Sequence, residues 1–102
     1  MTAQTRLLEE ELDEAKRIQN YRVEAEVCFA LAQLWEREHD YQRAKDYACE
    51  SLRAIRLCPS ETLEDVASAR LDVGGIPLPD LFHEGVVQSR LAHLLGEDST
   101  FR

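Results

Sequence analysis

Seven of the 102 residues in this chain are glycine or proline, and four of them, Gly74, Gly75, Pro77 and Pro79, fall together. None precedes Pro59. A long run without turn chemistry is not divided into short strands, so the chain is expected to build long helices. Its length suits one domain of four or five helices around a single core.

The apolar spacing sets the helices. Over residues 5–19, Leu8, Leu12, Ala15 and Ile18 recur at helical intervals with Leu7 beside them, and Asn20 is a natural stop. Residues 22–38 form the most apolar helix. Ala25, Cys28, Leu31/Ala32 and Trp35 make one stripe, and Val27, Ala30/Leu31 and Leu34 a second. Apolar residues that wide around a helix mean contact on two sides, so this helix is expected at the centre.

Asp40 is placed to cap a third helix over 41–57, with Tyr41, Ala44, Ala48, Ser51/Leu52 and Ile55 inward. Pro59 ends it. A fourth helix is expected from Ser60 or Thr62 to about Val73, stopped by Gly74-Gly75. After the extended Ile76-Pro77-Leu78-Pro79, a fifth runs from Pro79-Asp80 to Leu95 despite Gly85. Residues 1–96 thus read as one helical domain and 97–102 as a flexible C-terminal tail.

Composition is that of a folded protein, 44% hydrophobic and 31% charged, with a net charge of −8. Such a field repels phosphate backbones and anionic lipid, so neither nucleic acid nor a membrane is the expected partner. No stretch approaches the ~20 apolar residues of a membrane span. The opening MTAQTRLLEEELDE has no apolar signal core. Residues 41–60 alone are basic, with four Lys/Arg against two Asp/Glu. That strip either balances charge within the molecule or meets an acidic partner. Three cysteines, Cys28, Cys49 and Cys58, cannot all pair in one chain, which fits a reducing, cytoplasmic setting.

The stretch Phe29-Ala30-Leu31-Ala32-Gln33-Leu34-Trp35, followed by His39-Asp40-Tyr41-Gln42-Arg43-Ala44, resembles a tetratricopeptide (TPR) repeat. Leu31, Ala32 and Trp35 match that family's first helix, and Asp40, Tyr41 and Ala44 its turn and second helix. Small residues at 32 and 44 let two antiparallel helices approach closely, with the rings of Trp35 and Tyr41 filling the space beside them. His39 stands where the family usually has glycine, and Pro59 comes about a turn late, as in the longer variety of roughly 40 residues. The resemblance implies an all-α fold of antiparallel helix hairpins, a short right-handed solenoid of about five helices. Residues 5–19 would end a preceding half repeat, 22–57 form a full hairpin, and 61–95 a degenerate one.

Catalytic and metal chemistry find little to stand on. Cys28, Cys49, Cys58, His39, His83 and His93 show no C-x-x-C or H-E-x-x-H spacing. Nothing in the order of residues sets a base beside a cysteine, and no glycine-rich phosphate loop is present. No metal, cofactor or enzymatic activity is therefore expected.

The resemblance points instead to protein–protein interaction. Carried over residue by residue, the groove-lining face of the first helix is Glu26, Phe29, Gln33, Glu36 and Arg37. Phe29 lies off the main stripe, as either a core residue or an exposed anchor. Family members that clamp a C-terminal carboxylate use lysine and asparagine there. Glu26, Phe29 and Gln33 argue against that and favour a basic or amphipathic peptide or helix. So short a solenoid leaves its end faces poorly covered. Ile76, Leu78, Phe82, Val86 and Val87 are accordingly candidates for a dimer or edge contact. The expected function is a non-catalytic adaptor, scaffold or assembly factor. The alternative is a small regulatory subunit of a larger complex that dimerises through its C-terminal helix.

Overall fold

A computed structural model describes residues 3–57, 72–73, 76–77 and 84–99. Among these, four helices carry the fold: α1 (Ala3–Arg17), α2 (Tyr21–Arg37), α3 (Tyr41–Leu57) and α4 (Glu84–Ser99). A minimal antiparallel ladder joins β1 (Asp72–Val73) to β2 (Ile76–Pro77), with Val73 opposite Ile76. No described helix is long and apolar enough to cross a membrane.

The first three helices lie where the apolar spacing puts them, and two matching turns connect them. At the end of α1, Gln19 turns left-handed at φ 58°, and at the end of α2 His39 does the same at φ 62°. The Asn20 N–H donates to the Ala15 carbonyl and the Gln19 N–H to that of Lys16. Twenty residues on, the Asp40 N–H donates to Trp35 and the His39 N–H to Glu36. These are the paired bonds of a Schellman C-cap. The next residue then caps the following helix: the Val23 N–H donates to Asn20 Oδ1 and the Arg43 N–H to Asp40 Oδ1, both at 3.2 Å. Each three-residue turn thus ends one helix and starts the next. A left-handed residue with a Cβ is strained, so Gln19→Gly is expected to stabilise the fold by about 0.5–1 kcal/mol in urea denaturation.

The α2–α3 pair forms the centre. The buried Ser51 hydroxyl donates to the Ala25 carbonyl at 2.7 Å, near one end of the pair. Towards the other end, Ala32 shares a fully buried cluster with Ala44 and Ala48. Residues rising along α2 therefore meet residues falling along α3, and the helices are antiparallel, with small side chains at their contact. Leu94 of α4 completes the alanine cluster, flanked by Trp35, Tyr41, Tyr47 and Leu91. The larger cluster brings together Leu8 and Leu12 of α1, Val27, Phe29, Leu31 and Leu34 of α2, Ile55 of α3 and Val87 of α4.

Three expectations change. Ile18 is 56% exposed, not part of the inward stripe, because it sits where α1 turns into its C-cap. Asp72 and Val73 pair in the ladder rather than ending a helix, and the rest of the expected fourth helix lies outside the described residues. The last helix is described from Glu84 to Ser99 and so runs past Leu95 into the expected tail, while its expected start at Pro79-Asp80 lies outside the described residues. Four described helices stand where about five were expected.

Candidate functional site

Positions 29, 33, 36 and 37 recur every three or four residues, so helix geometry alone sets them along one face of α2. Side chains of α4, a helix that packs chiefly against α3, reach over to that face. Arg90 Nη1 donates to Glu36 Oε1 at 2.8 Å, and His93 Nε2 lies 3.1 Å from Glu36 Oε2. The Arg90 guanidinium also stands over the Phe29 ring, 6.0 Å from its centroid. One arginine thus spans an aromatic face and a carboxylate, the two groups a guanidinium contacts best.

Beyond this contact the face opens into a cleft of about 340 Å³, lined by Gln33, Glu36, Arg37, His39, Tyr41 and Arg90. The turn and the start of α3 supply His39 and Tyr41, whose ring nitrogen and hydroxyl are 3.1 Å apart. Two guanidiniums, a hydroxyl, an amide and an imidazole surround one carboxylate. The cleft can donate more hydrogen bonds than it can accept.

The five residues of the expected groove therefore divide. Gln33, Glu36 and Arg37 line the cleft. Phe29, 2% exposed, belongs to the core. Glu26 is buried as well, held in part by Arg22 at 3.1 Å within α2. A groove open along its whole length is not what this face presents, because Arg90 and His93 reach over it to Glu36. Its acidity is correspondingly reduced, since Glu26 and Glu36 both face cations of the same chain. His39, Tyr41, Arg90 and His93 were outside the groove read from sequence. The pair His39-Tyr41 beside a helix end was a visible signal, but nothing in residue order announced Arg90 and His93, which lie more than fifty positions from Glu36.

The candidate edge contact also divides. Val87 is fully buried in the chain's own core, and Val86 is half-buried and packs against that core. Leu78, Phe82 and the Ile76 side chain lie outside the described residues. The basic strip of α3 is balanced within the molecule: Arg43 pairs with Asp40, Arg53 with Glu50 and Arg56 with Glu84. Arg53 and Arg56 also border a hollow of about 270 Å³ with Cys49, Leu52 and Leu57.

Cys28 is fully buried, and Cys49 is exposed. Burial, reinforced by nearby Glu24, pushes the Cys28 thiol from the ordinary 9.0 up to about 12. The thiolate is the nucleophile, so Cys28 should react with a thiol reagent at neutral pH about a thousand-fold more slowly than an ordinary cysteine, while Cys49 reacts at once. Mass-resolved labelling of the folded protein checks this. The same shift makes the folded state hold the proton that the unfolded state releases, so this contribution is intact below pH 9 and is lost as pH rises towards 12. Among the described residues, no group of three or more His, Cys, Asp or Glu side chains is placed to hold a metal ion.

Searches of protein-family models, curated proteins and solved structures find no match to this chain.

Proposed function

We propose that this chain is a non-catalytic interaction module, a TPR-like hairpin whose α2 face receives an amphipathic helix from a partner protein. One observation carries the reading: Glu36 is engaged by Arg90 and His93, which reach it from α4, a helix packed against the neighbouring α3. The side chains that α4 extends to that face are a template for what the surface accepts. A carboxylate beside an aromatic ring selects arginine, and Ala32, Ala44 and Ala48 form a shallow seat for a leucine such as Leu94. The partner segment is therefore a helix that presents an arginine close to leucine or valine. An exposed free thiol at Cys49 suits the reducing interior of a cell, where an adaptor of this kind would work.

Calorimetric titration of the full chain with two matched helical peptides tests the reading. One carries arginine at the central position and the other glutamate. The arginine peptide is expected to bind at least ten-fold tighter. Equal binding, or tighter binding of the glutamate peptide, would refute it.

A second reading, a subunit of a larger assembly, draws on α1. Leu7 on α1 and Ile18 in the turn that follows it are 62% and 56% exposed. Covering that pair is work for a neighbouring protein rather than for α4.

A further inference from the structure

We infer that the cleft at the end of α2 is a carboxylate site, which takes an aspartate or glutamate that the partner helix carries one turn from its arginine. This rests on the reading that the α2 face receives a partner helix, and adds a second recognition element to it.

The described residues include eight arginines, and seven of them are ion-paired with a carboxylate of the same chain. Arg37 is the exception. It stands exposed in the last turn of α2, lines the cleft, and makes no ion pair or hydrogen bond among the described residues. Carboxylates are not scarce in a chain of net charge −8, so this guanidinium stands apart by its position.

The rest of the cleft adds donors to it. The Tyr41 hydroxyl and His39 Nδ1 are 3.1 Å apart. A neutral imidazole has one N–H and a phenol one O–H. One of the two is used between them, and the other stays available in either tautomer. The one carboxylate in the lining, Glu36, already faces Arg90 and His93. An incoming anion therefore meets Arg37 and a spare donor, and no uncompensated negative side chain of the lining. The C-terminus of α2 and the N-terminus of α3 meet at this turn, so their dipoles offset each other.

The size of the cleft fits two neighbouring side chains of one helix. A volume of about 340 Å³ corresponds to a cube about 7 Å on a side. Residues three or four apart on a helix are about 5–6 Å apart. A partner arginine that meets Glu36 thus brings the residue one turn away into the same cleft. A carboxylate accepts about four hydrogen bonds, so Glu36 keeps acceptor capacity for that arginine. The planar fork of Arg37 suits the two oxygens of a carboxylate in return.

Calorimetric titration of the full chain with helical peptides tests this. All carry the central arginine. Glutamate stands four residues before it, four residues after it, or is replaced at both places by glutamine. The better-placed glutamate peptide is expected to bind about three- to five-fold tighter than the glutamine peptide, with the gain shrinking as salt is added. Arg37→Gln should abolish that gain and leave binding of the glutamine peptide unchanged, and Arg37→Lys should restore only part of it. The urea midpoint of Arg37→Gln should stay close to that of the unaltered chain. Equal binding of glutamate and glutamine peptides would overturn the inference and leave the α2 face as a helix receptor. A glutamate gain that survives Arg37→Gln would also overturn it, since the carboxylate would then bind elsewhere. Equal weakening of both peptides by Arg37→Gln would reduce Arg37 to a structural role and overturn it too. No binding of any arginine peptide would remove both the inference and the reading beneath it.

Discussion

Phe29→Ala is expected to lower unfolding stability by about 3–5 kcal/mol, a large share of what a domain of this size has. The ring is 2% exposed and belongs to the cluster that joins Leu8 and Leu12 of α1, Leu31 of α2 and Val87 of α4. Its removal opens a cavity at the place where three helices meet. Arg90, which lies over the ring, would also lose one of its two contacts on α2. Urea denaturation followed by circular dichroism measures the effect, with the midpoint falling and the slope unchanged if the variant still folds cooperatively. An exposed anchor at this position would behave differently: truncation would cost within about 0.5 kcal/mol of nothing and would show only in partner binding.

Ala48→Leu is expected to cost about 1–3 kcal/mol through the opposite defect, overpacking. Ala48 is fully buried with Ala32, Ala44 and Leu94. Three extra carbons there would either push α3 from α2 or fill the seat of Leu94. The two outcomes separate in the same denaturation experiment with a hydrogen-exchange readout. Separation of α2 and α3 lowers the stability of the whole helical unit, whereas loss of the Leu94 seat raises exchange in α4 first. Both results follow from a contact built on side chains too small to fill space alone.

The first three helices were legible because the sequence repeats its signals. Leu8, Leu12 and Ala15 define one inward face by spacing, and Asp40 before Tyr41 announces a helix start. The twenty-residue recurrence of Arg17-Ile18-Gln19-Asn20-Tyr21 as Arg37-Glu38-His39-Asp40-Tyr41 was also present, but hydrogen bonds were needed to show its meaning. Gln19 and His39 conceal their left-handed turns because glycine, the usual marker, is missing. Ile18 misled for a related reason: periodicity continues past the last helical residue, while the backbone does not.

The site was less legible because it depends on tertiary contact. Glu36 was named as a groove residue from its place on α2, yet residue order does not reveal that Arg90 and His93 come to it from the far end of the chain. Buried Glu26 was read as part of an acidic surface because charge count ignores local partners. Arg22, four residues earlier, answers it within the same helix. Val87 looked like an edge residue for the same reason: an amphipathic helix does not state whether its apolar ridge meets another chain or its own.

The most direct test is a methyl NOE spectrum of the folded protein with labelled alanine and leucine. Cross-peaks are expected from the Ala32 methyl to Ala44 or Ala48, and from that alanine group to the Leu94 methyls. An Ala32 methyl that shows neither set would contradict both the close α2–α3 contact and the seat of α4 upon it.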